Sequence, residues 1–393
     1  MIELTKWNLA NALYKGYHNR DLSQEKFDQI TNSFKNKIEI SKIYAKSILK
    51  REILGAMFKA NNPVVLHSGG VDSTVMLLLA RELYGAKYIT ACSIGYKEPF
   101  KIHDYNTPEG IIEDTFAQMF HADESKISER ICKSLDINHI TFYIDKRMVQ
   151  ETLDAITKEN YKDFFISSSL IPTYHIFKYA KDYGDSIITG DGGDELFCGY
   201  DRYLFAYYLS CFRNCRVFAT RDFKSRKMQK AKKFLNGGYQ DLVSIWSVDD
   251  IFKYLDIFML NSNFEVKLNE LDKDLHPLDR MMLFDIGTEL FGVETRKVQT
   301  AVRMAEVNPN KVISPFLDEK IMNFVASLPI KYKYRWFTRK VLLREIIKDE
   351  FPEYSKIAKK GKKGFAFPYI EEKEWTRMLI QNLLDKQILT IIE

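Results

Sequence analysis

The stretch Ser68-Gly69-Gly70-Val71-Asp72-Ser73 does most to limit what this chain can fold into. It follows a short β-rich run, Val64-Val65-Leu66-His67, and opens onto a helical pattern from Thr74 to Tyr84. Strand, tight glycine turn and helix in that order begin a βαβ unit. Glycine lets backbone N–H groups approach phosphate oxygens closely, and the N-terminus of the next helix favours negative charge. Ser68 and Ser73 add hydroxyl donors. Asp72 does not suit a pure anion site, but a carboxylate among phosphates has a use if it holds Mg²⁺. No Gly-Lys-Ser/Thr follows, so this is not a Walker A loop. On pattern alone, an ordinary strand–helix turn is the competing reading.

The alternation continues downstream. Strand patterns fall at Tyr88 to Ile94, Ile140 to Ile144 and Ser186 to Thr189. Helical patterns fall near 110–135, at 147–158 and from Ile171 to Tyr183. This order predicts a doubly wound parallel α/β sheet with helices on both faces. Before it, residues 1–58 read as helical, with apolar residues three and four apart, until Asn61-Asn62-Pro63 breaks the pattern. After about Tyr203 the strand signal fades into a mainly helical region. Three segments are therefore expected: a helical segment 1–58, an α/β core 59–205 and a helical region 206–393.

Composition removes several classes. The 393 residues are 46% hydrophobic and 28% charged, which excludes bulk disorder and a multi-span membrane protein. The longest apolar run, Val75-Met76-Leu77-Leu78-Leu79-Ala80, is far short of the roughly 20 residues of a membrane span. Met1 to Lys6 lacks a basic start followed by an apolar stretch, so no signal peptide is expected. Lys and Arg number 58 against 53 Asp and Glu, a net charge of +5 that does not argue for nucleic acid. The basic run Arg221 to Lys233 reads first as a solvated helix face, and otherwise as a docking strip for an acidic partner. Five cysteines (Cys92, Cys132, Cys198, Cys211 and Cys215) form no metal or disulfide pattern, so free thiols and a cytoplasmic location are expected. The seven histidines show no paired ligand spacing, though His67 abuts the glycine loop.

A second loop follows the last strand of the core: Thr189-Gly190-Asp191-Gly192-Gly193-Asp194-Glu195-Leu196-Phe197-Cys198-Gly199-Tyr200. Acids and glycines in this density cannot form a core strand. They belong at the carboxyl edge of the sheet, where open α/β folds bind ligands. The first loop resembles the pyrophosphate loop of the N-type ATP pyrophosphatases, the PP-loop or adenine nucleotide alpha hydrolase-like fold. The second resembles the GEG-x-DELFGGY segment of asparagine synthetases. Further matches follow in that family's order: Ser314-Pro315-Phe316-Leu317-Asp318, Ser327-Leu328-Pro329, Lys340-x-x-Leu343-Arg344 and Lys360-Gly361-Lys362-Lys363-Gly364-Phe365. The resemblance to the synthetase domain of that family covers roughly residues 45–370.

The resemblance implies a reaction. ATP adenylates a carboxylate and releases pyrophosphate; an amine or ammonia then attacks the acyl-adenylate to give amide and AMP. It also implies roles. Ser68, Gly69, Gly70, Asp72 and Ser73 match the pyrophosphate loop, and Asp72 and Asp194 match two Mg²⁺-binding aspartates. Leu66, Ile94 and Gly190 fall where the family contacts adenosine, and Lys362 matches the lysine that answers charge on the phosphates. Asp191 stands where most asparagine synthetases carry Glu, a candidate base one methylene shorter. Cys198 replaces a family glycine and reads as a small buried side chain rather than a reactive thiol.

Two departures bear on substrates. The family's KVDR reads Lys297-Val298-Gln299-Thr300 here; the resemblance implies that residues near this stretch border the acceptor pocket, which puts aspartate as substrate in question. Glutamine-dependent members begin with a glutaminase whose N-terminal cysteine is the nucleophile; here position 2 is Ile2, and only about 60 residues precede the loop. No glutaminase activity of its own is therefore expected, with ammonia or an amine coming free, from a separate glutaminase or carrier, or on another substrate. The competing readings are a tailoring amidotransferase or lactam-forming ligase, a PP-loop tRNA-modifying enzyme, and a non-catalytic binding protein.

Overall fold

The computed structural model describes residues 2–17, 24–97, 125–159, 161, 164–210, 234, 239–244, 248–255, 274–357 and 367–392. Its strands are β1 (Ile2–Thr5), β2 (Pro63–Leu66), β3 (Thr90–Tyr96), β4 (Asn138–Ile144), β5 (Ser186–Ile188), β6 (Val312–Ile313), β7 (Tyr334–Arg335), β8 (Thr338–Arg339) and β9 (Leu389–Ile392). Five of them form one sheet in the order β4-β3-β2-β5-β6, and every pairing in it is parallel. The chain enters at β2, winds outward through β3 and β4, and returns to β5 on the other side of β2. That reversal is a topological switch point, and it lies between β2 and β5.

Alternate residues of the central strands point to opposite faces, and both faces are buried. Val65, Ala91 and Ile188 enter one core, with the helices Lys42–Met57, Val71–Tyr84 and Val341–Glu350. Val64, Cys92 and Ile187 enter the other, with the helices Met148–Glu159, Leu170–Ala180, Thr295–Met304 and Glu372–Asp385. The doubly wound arrangement expected from the sequence is present. The helix after the glycine loop begins at Val71, three residues ahead of the expected Thr74, and is buried from Val71 through Ala80. Ten consecutive buried residues leave no amphipathic stripe, as befits a helix with protein around it.

Some elements differ from the sequence pattern. Ile2–Thr5, read as part of a helical segment, is a strand paired in parallel with β9, register Ile2↔Leu389. β6 lies in the region where no strand was expected; its two residues pair with β5, and Thr189 donates its N–H to the Ile313 carbonyl at 2.9 Å. Two residues carry no periodicity, so only the partner strand defines such an element. Of the helical pattern near 110–135, Ser125–Ser134 is described, and residues 98–124 lie outside the described residues. No described helix is long and apolar enough to cross a membrane.

Between the helices Pro277–Asp285 and Thr295–Met304 the chain runs as a π-helix, Ile286–Glu294. Hydrogen bonds of i→i+5 type bring residues five apart into line, whereas five α-helical residues turn roughly 140° past alignment. Gly287 and Gly292 are five apart. A Cβ on the first would lie 2.8 Å from the Phe27 ring, and a Cβ on the second 2.5 Å from the Tyr17 ring. Each glycine therefore lets an aromatic ring approach the π backbone closely.

Candidate functional site

The loop after β2 is tied to itself by its two serines. The Ser68 N–H donates to Ser73 Oγ at 3.2 Å, and Ser73 Oγ donates to the Gly70 carbonyl at 3.3 Å. Gly69 has φ +76°, in the left-handed region, and its carbonyl accepts from the Tyr354 hydroxyl at 3.1 Å. Beneath the loop lies a buried polar network. His67 Nδ1 contacts Ser128 Oγ at 2.6 Å and its Nε2 contacts Thr74 Oγ1 at 3.1 Å. Ser93 Oγ lies 2.8 Å from His139 Nε2 and donates to the His67 carbonyl at 2.6 Å. Burial pushes the His67 imidazole down to about 3, with His139 adding to it, so the ring is neutral and serves as a spacer between hydroxyls.

The loop after β5 meets the first across the switch point. A Cβ on Gly190 would lie 3.1 Å from the Ser73 N, and one on Gly193 would lie 2.6 Å from the Asp72 Cγ. Only a glycine leaves room for Asp72 at position 193. The two aspartates then meet at one ammonium: Lys340 Nζ lies 2.5 Å from Asp72 Oδ2 and 2.5 Å from Asp194 Oδ1. Lys340 is buried, takes φ 55° at the start of the helix Val341–Glu350, and donates its N–H to the Phe197 carbonyl at 3.1 Å. The sequence marked Lys340 only as the first residue of a motif and gave it no role.

A cavity of about 570 Å³ opens at this switch point. Leu66, Ser68, Asp72, Ser73, Ile94, Gly190, Asp191 and Asp194 all line it, while Gly69 and Gly70 lie in the loop that forms its edge. These residues, separated by more than a hundred positions in sequence, share one space. Lys362 and the basic run Arg221 to Lys233 lie outside the described residues. Two carboxylates converging on one cation position suit Mg²⁺, which takes one or two carboxylates and completes its shell with phosphate and water oxygens. Among the described residues no three His, Cys, Asp or Glu side chains gather as an all-protein metal site.

Further charged groups line the same cavity, and the sequence pointed to none of them except through the altered KVDR stretch. Lys297, buried, pairs with Glu294, and Asp191 and Glu289 lie within its electrostatic reach. Glu372 accepts from the Ser168 N–H at 2.9 Å and from the Ser168 hydroxyl at 2.5 Å. Glu195 is 2% exposed and accepts from the Tyr200 hydroxyl at 2.5 Å. Burial, then neighbouring Asp194, pushes its carboxyl up to about 8. Cys198 sits at φ 57°, a backbone shape that glycine adopts freely. Its thiol is buried and pushed up to about 12 by that burial, as are Cys92 and Cys132.

A doubly wound parallel sheet with two acid- and glycine-bearing loops facing each other at its switch point is an open α/β fold of the kind that places its ligand crevice there. The family model described as asparagine synthase matches residues 49–390, and the chain belongs to that family. It is 23% identical over 334 residues to asparagine synthetase [glutamine-hydrolyzing] 1 of Bacillus subtilis, covering 80% of this chain and 48% of that protein. It is 24% identical over 151 residues to the putative asparagine synthetase [glutamine-hydrolyzing] 2 of Methanocaldococcus jannaschii, covering 38% of this chain and 25% of that one. The chain thus spans about half the length of the first relative or less. An NMN synthetase structure from Francisella tularensis aligns at 14% identity over 70% of this chain and 96% of that one, with a TM-score of 0.26, a level that supports no conclusion.

Proposed function

We propose that this chain is an ATP-dependent, AMP-forming ligase that adenylates a carboxylate and then forms an amide. The observation that carries this reading is the meeting of Asp72 and Asp194 at Lys340, on the wall of a cavity at the switch point. The loop Ser68 to Ser73 offers backbone N–H groups and hydroxyls to the β- and γ-phosphates. Leu66, Ile94 and Gly190 take the adenosine side. Mg²⁺, held by Asp72 and Asp194, would supply charge neutralisation on the phosphates. Lys340 fixes both carboxylates in place, and Lys362 adds positive charge as pyrophosphate departs.

The chemistry balances in two steps. A carboxylate oxygen of the substrate bonds to the α-phosphorus, and the bond to the pyrophosphate oxygen breaks. An amine nitrogen then bonds to the acyl carbon, the bond to AMP breaks, and the nitrogen gives a proton to Asp191. The direct test supplies the full chain with Mg-ATP, ammonium and candidate carboxylates, aspartate first, and measures AMP and pyrophosphate. Carboxylate-dependent release that vanishes in Asp72→Ala and in Lys362→Ala is the expected result. Release undiminished in both variants overturns the site assignment. Release with another carboxylate but not with aspartate identifies a tailoring ligase.

A further inference from the structure

β7 and β8 pair antiparallel, Tyr334↔Arg339 and Arg335↔Thr338, so Trp336 and Phe337 alone make the turn between them. Both take positive φ, 47° and 62°. A two-residue hairpin turn of that kind is made most readily by Asn and Gly, and bulky side chains resist it. The base of the hairpin is held: Arg339 Nη1 donates to the Gly199 carbonyl at 2.6 Å and pairs with Asp201 at 2.7 Å. Phe337 contributes to the fold, since its ring stacks on Tyr208 with centroids 5.7 Å apart, and the Tyr208 and Tyr334 hydroxyls meet at 2.6 Å. The Trp336 indole makes no ring contact and no hydrogen bond among the described residues. At 80% exposed it is also the most exposed large apolar side chain among them.

A groove of about 450 Å³ opens beside the tip, and Trp336 forms part of its wall. Its charged residues are Lys42, Lys331, Arg335 and Glu345. Lys42 pairs with Glu345 at 3.0 Å. Lys331 and Arg335 pair with no carboxylate among the described residues, so the groove keeps two positive charges unanswered. Ile43 and Tyr44 follow Lys42 at the start of the helix Lys42–Met57, and both are exposed. Exposed apolar surface beside charge of one sign marks a contact site, and Trp and Arg are the residue types that carry most of the energy at protein interfaces. Unanswered cations choose a partner of opposite charge. Two of them are few for a nucleic acid, and an aliphatic side chain such as Ile43 has no use for a phosphate backbone. A second copy of the chain related by a two-fold axis would set Lys331 and Arg335 against themselves.

We propose that the Trp336 tip and this groove dock an acidic segment of a partner protein, which buries the indole and sets its carboxylates against Lys331 and Arg335. β8 runs directly into Lys340, so a partner seated on the tip sits four residues from the ammonium that holds Asp72 and Asp194. Such docking needs no ATP chemistry, so it stands or falls by binding alone, whatever reaction the chain carries out.

The test uses the full chain and a fluorescein-labelled peptide of four Glu-Glu-Ala-Leu repeats, with the Gln-Gln-Ala-Leu peptide as its neutral match. Binding is followed by fluorescence anisotropy. Wild-type protein is expected to bind the acidic peptide roughly tenfold or more tightly than the neutral one, with an affinity that falls as salt rises. Trp336→Asn is expected to weaken that binding roughly tenfold or more. Its unfolding midpoint should hold or rise, because Asn suits a turn at positive φ. Binding lost without stability lost separates docking from folding. Lys331→Gln with Arg335→Gln is expected to bring the acidic peptide down to the level of the neutral one. Tyr88→Ala, at an exposed aromatic that does not line the groove, serves as control and changes nothing. The neutral peptide bound as tightly as the acidic one, the acidic peptide bound equally by Trp336→Asn, or no binding by the wild type each overturns the proposal. So does oligodeoxythymidine bound in preference to the peptide, which marks a nucleic-acid surface. A wild-type dimer that Trp336→Asn dissolves overturns it as well, and marks a contact between copies of the chain.

Discussion

Lys340 and Asp72 lie 268 positions apart in sequence, and the ammonium of one sits 2.5 Å from the carboxylate of the other in the interior. The pair, completed by Asp194, joins the first loop, the second loop and the helix Val341–Glu350 at one point. Removing the lysine leaves two carboxylates facing each other without their shared counter-charge. Lys340→Met is expected to lower stability by about 3–5 kcal/mol, as breaking a buried ion pair does. Mg²⁺ should then stabilise the variant more than it stabilises the wild type, because an added cation can stand between the same carboxylates. Urea titrations of both proteins with and without Mg²⁺ check this. Equal Mg²⁺ effects would show that the two aspartates are not a cation site.

Gly193 leaves the space that Asp72 occupies. An added Cβ would lie 2.6 Å from the Asp72 Cγ, and Lys340 keeps Asp72 from swinging aside. Gly193→Ala should lower ATP turnover about 10²-fold or more, as a displacement near 1 Å at a reacting centre does. The stability loss should stay within roughly 1–3 kcal/mol. Pyrophosphate release, with the unfolding midpoint measured alongside, separates misplacement from misfolding.

Acid should weaken the fold through His67. Its imidazole is held near 3 in the folded chain by burial and by His139, against roughly 6.5 when exposed. A depressed value stabilises the fold above the unfolded value, and this contribution is lost as pH falls from about 6.5 toward 3. Glu195 and Glu289 act in the opposite sense: their folded values are raised, so their contribution is lost as pH rises toward about 8 and 7. Comparing wild type with His67→Gln isolates the imidazole. The variant should lose less stability than the wild type between neutral pH and about pH 4. Parallel pH curves would mean that the ring titrates normally.

The π-helix rests on two close contacts, one of them between Gly292 and the Tyr17 ring. Gly292→Ala should destabilise by about 1–3 kcal/mol through overpacking. Combined with Tyr17→Ala, it should cost less than the sum of the two, with a coupling of about 0.5–3 kcal/mol. Strict additivity in a double-mutant cycle would remove Tyr17 from the account.

The readable parts of this molecule are those where a local rule acts. β2, the glycine loop and the helix from Val71 each follow from residue type and period, and so does the alternation that makes the sheet parallel. The order of the loops also showed which residues would share a space: Asp72, Asp191 and Asp194 line one cavity. Contacts made across the fold were not readable. Lys340 stood in plain view at the head of a motif, but a sequence does not say that its ammonium turns inward to two aspartates. Glu289 and Glu294 were hidden by their spacing, since five residues apart is no helical face until the backbone becomes π. β1 and β6 were too short to show a period and exist through their partners.

The pairing of β1 with β9 has a bearing on how the protein is made. Ile2 donates its N–H to the Ile388 carbonyl at 2.7 Å, so a strand near one end of the described chain finds its partner near the other. During synthesis β1 leaves the ribosome long before β9 exists. Its edge stays open for that whole interval, and a contact this distant in sequence forms late. The two strands act as a clasp that closes only when translation has passed the last helix, so Leu4, buried in the finished fold, gains its strand partner only then.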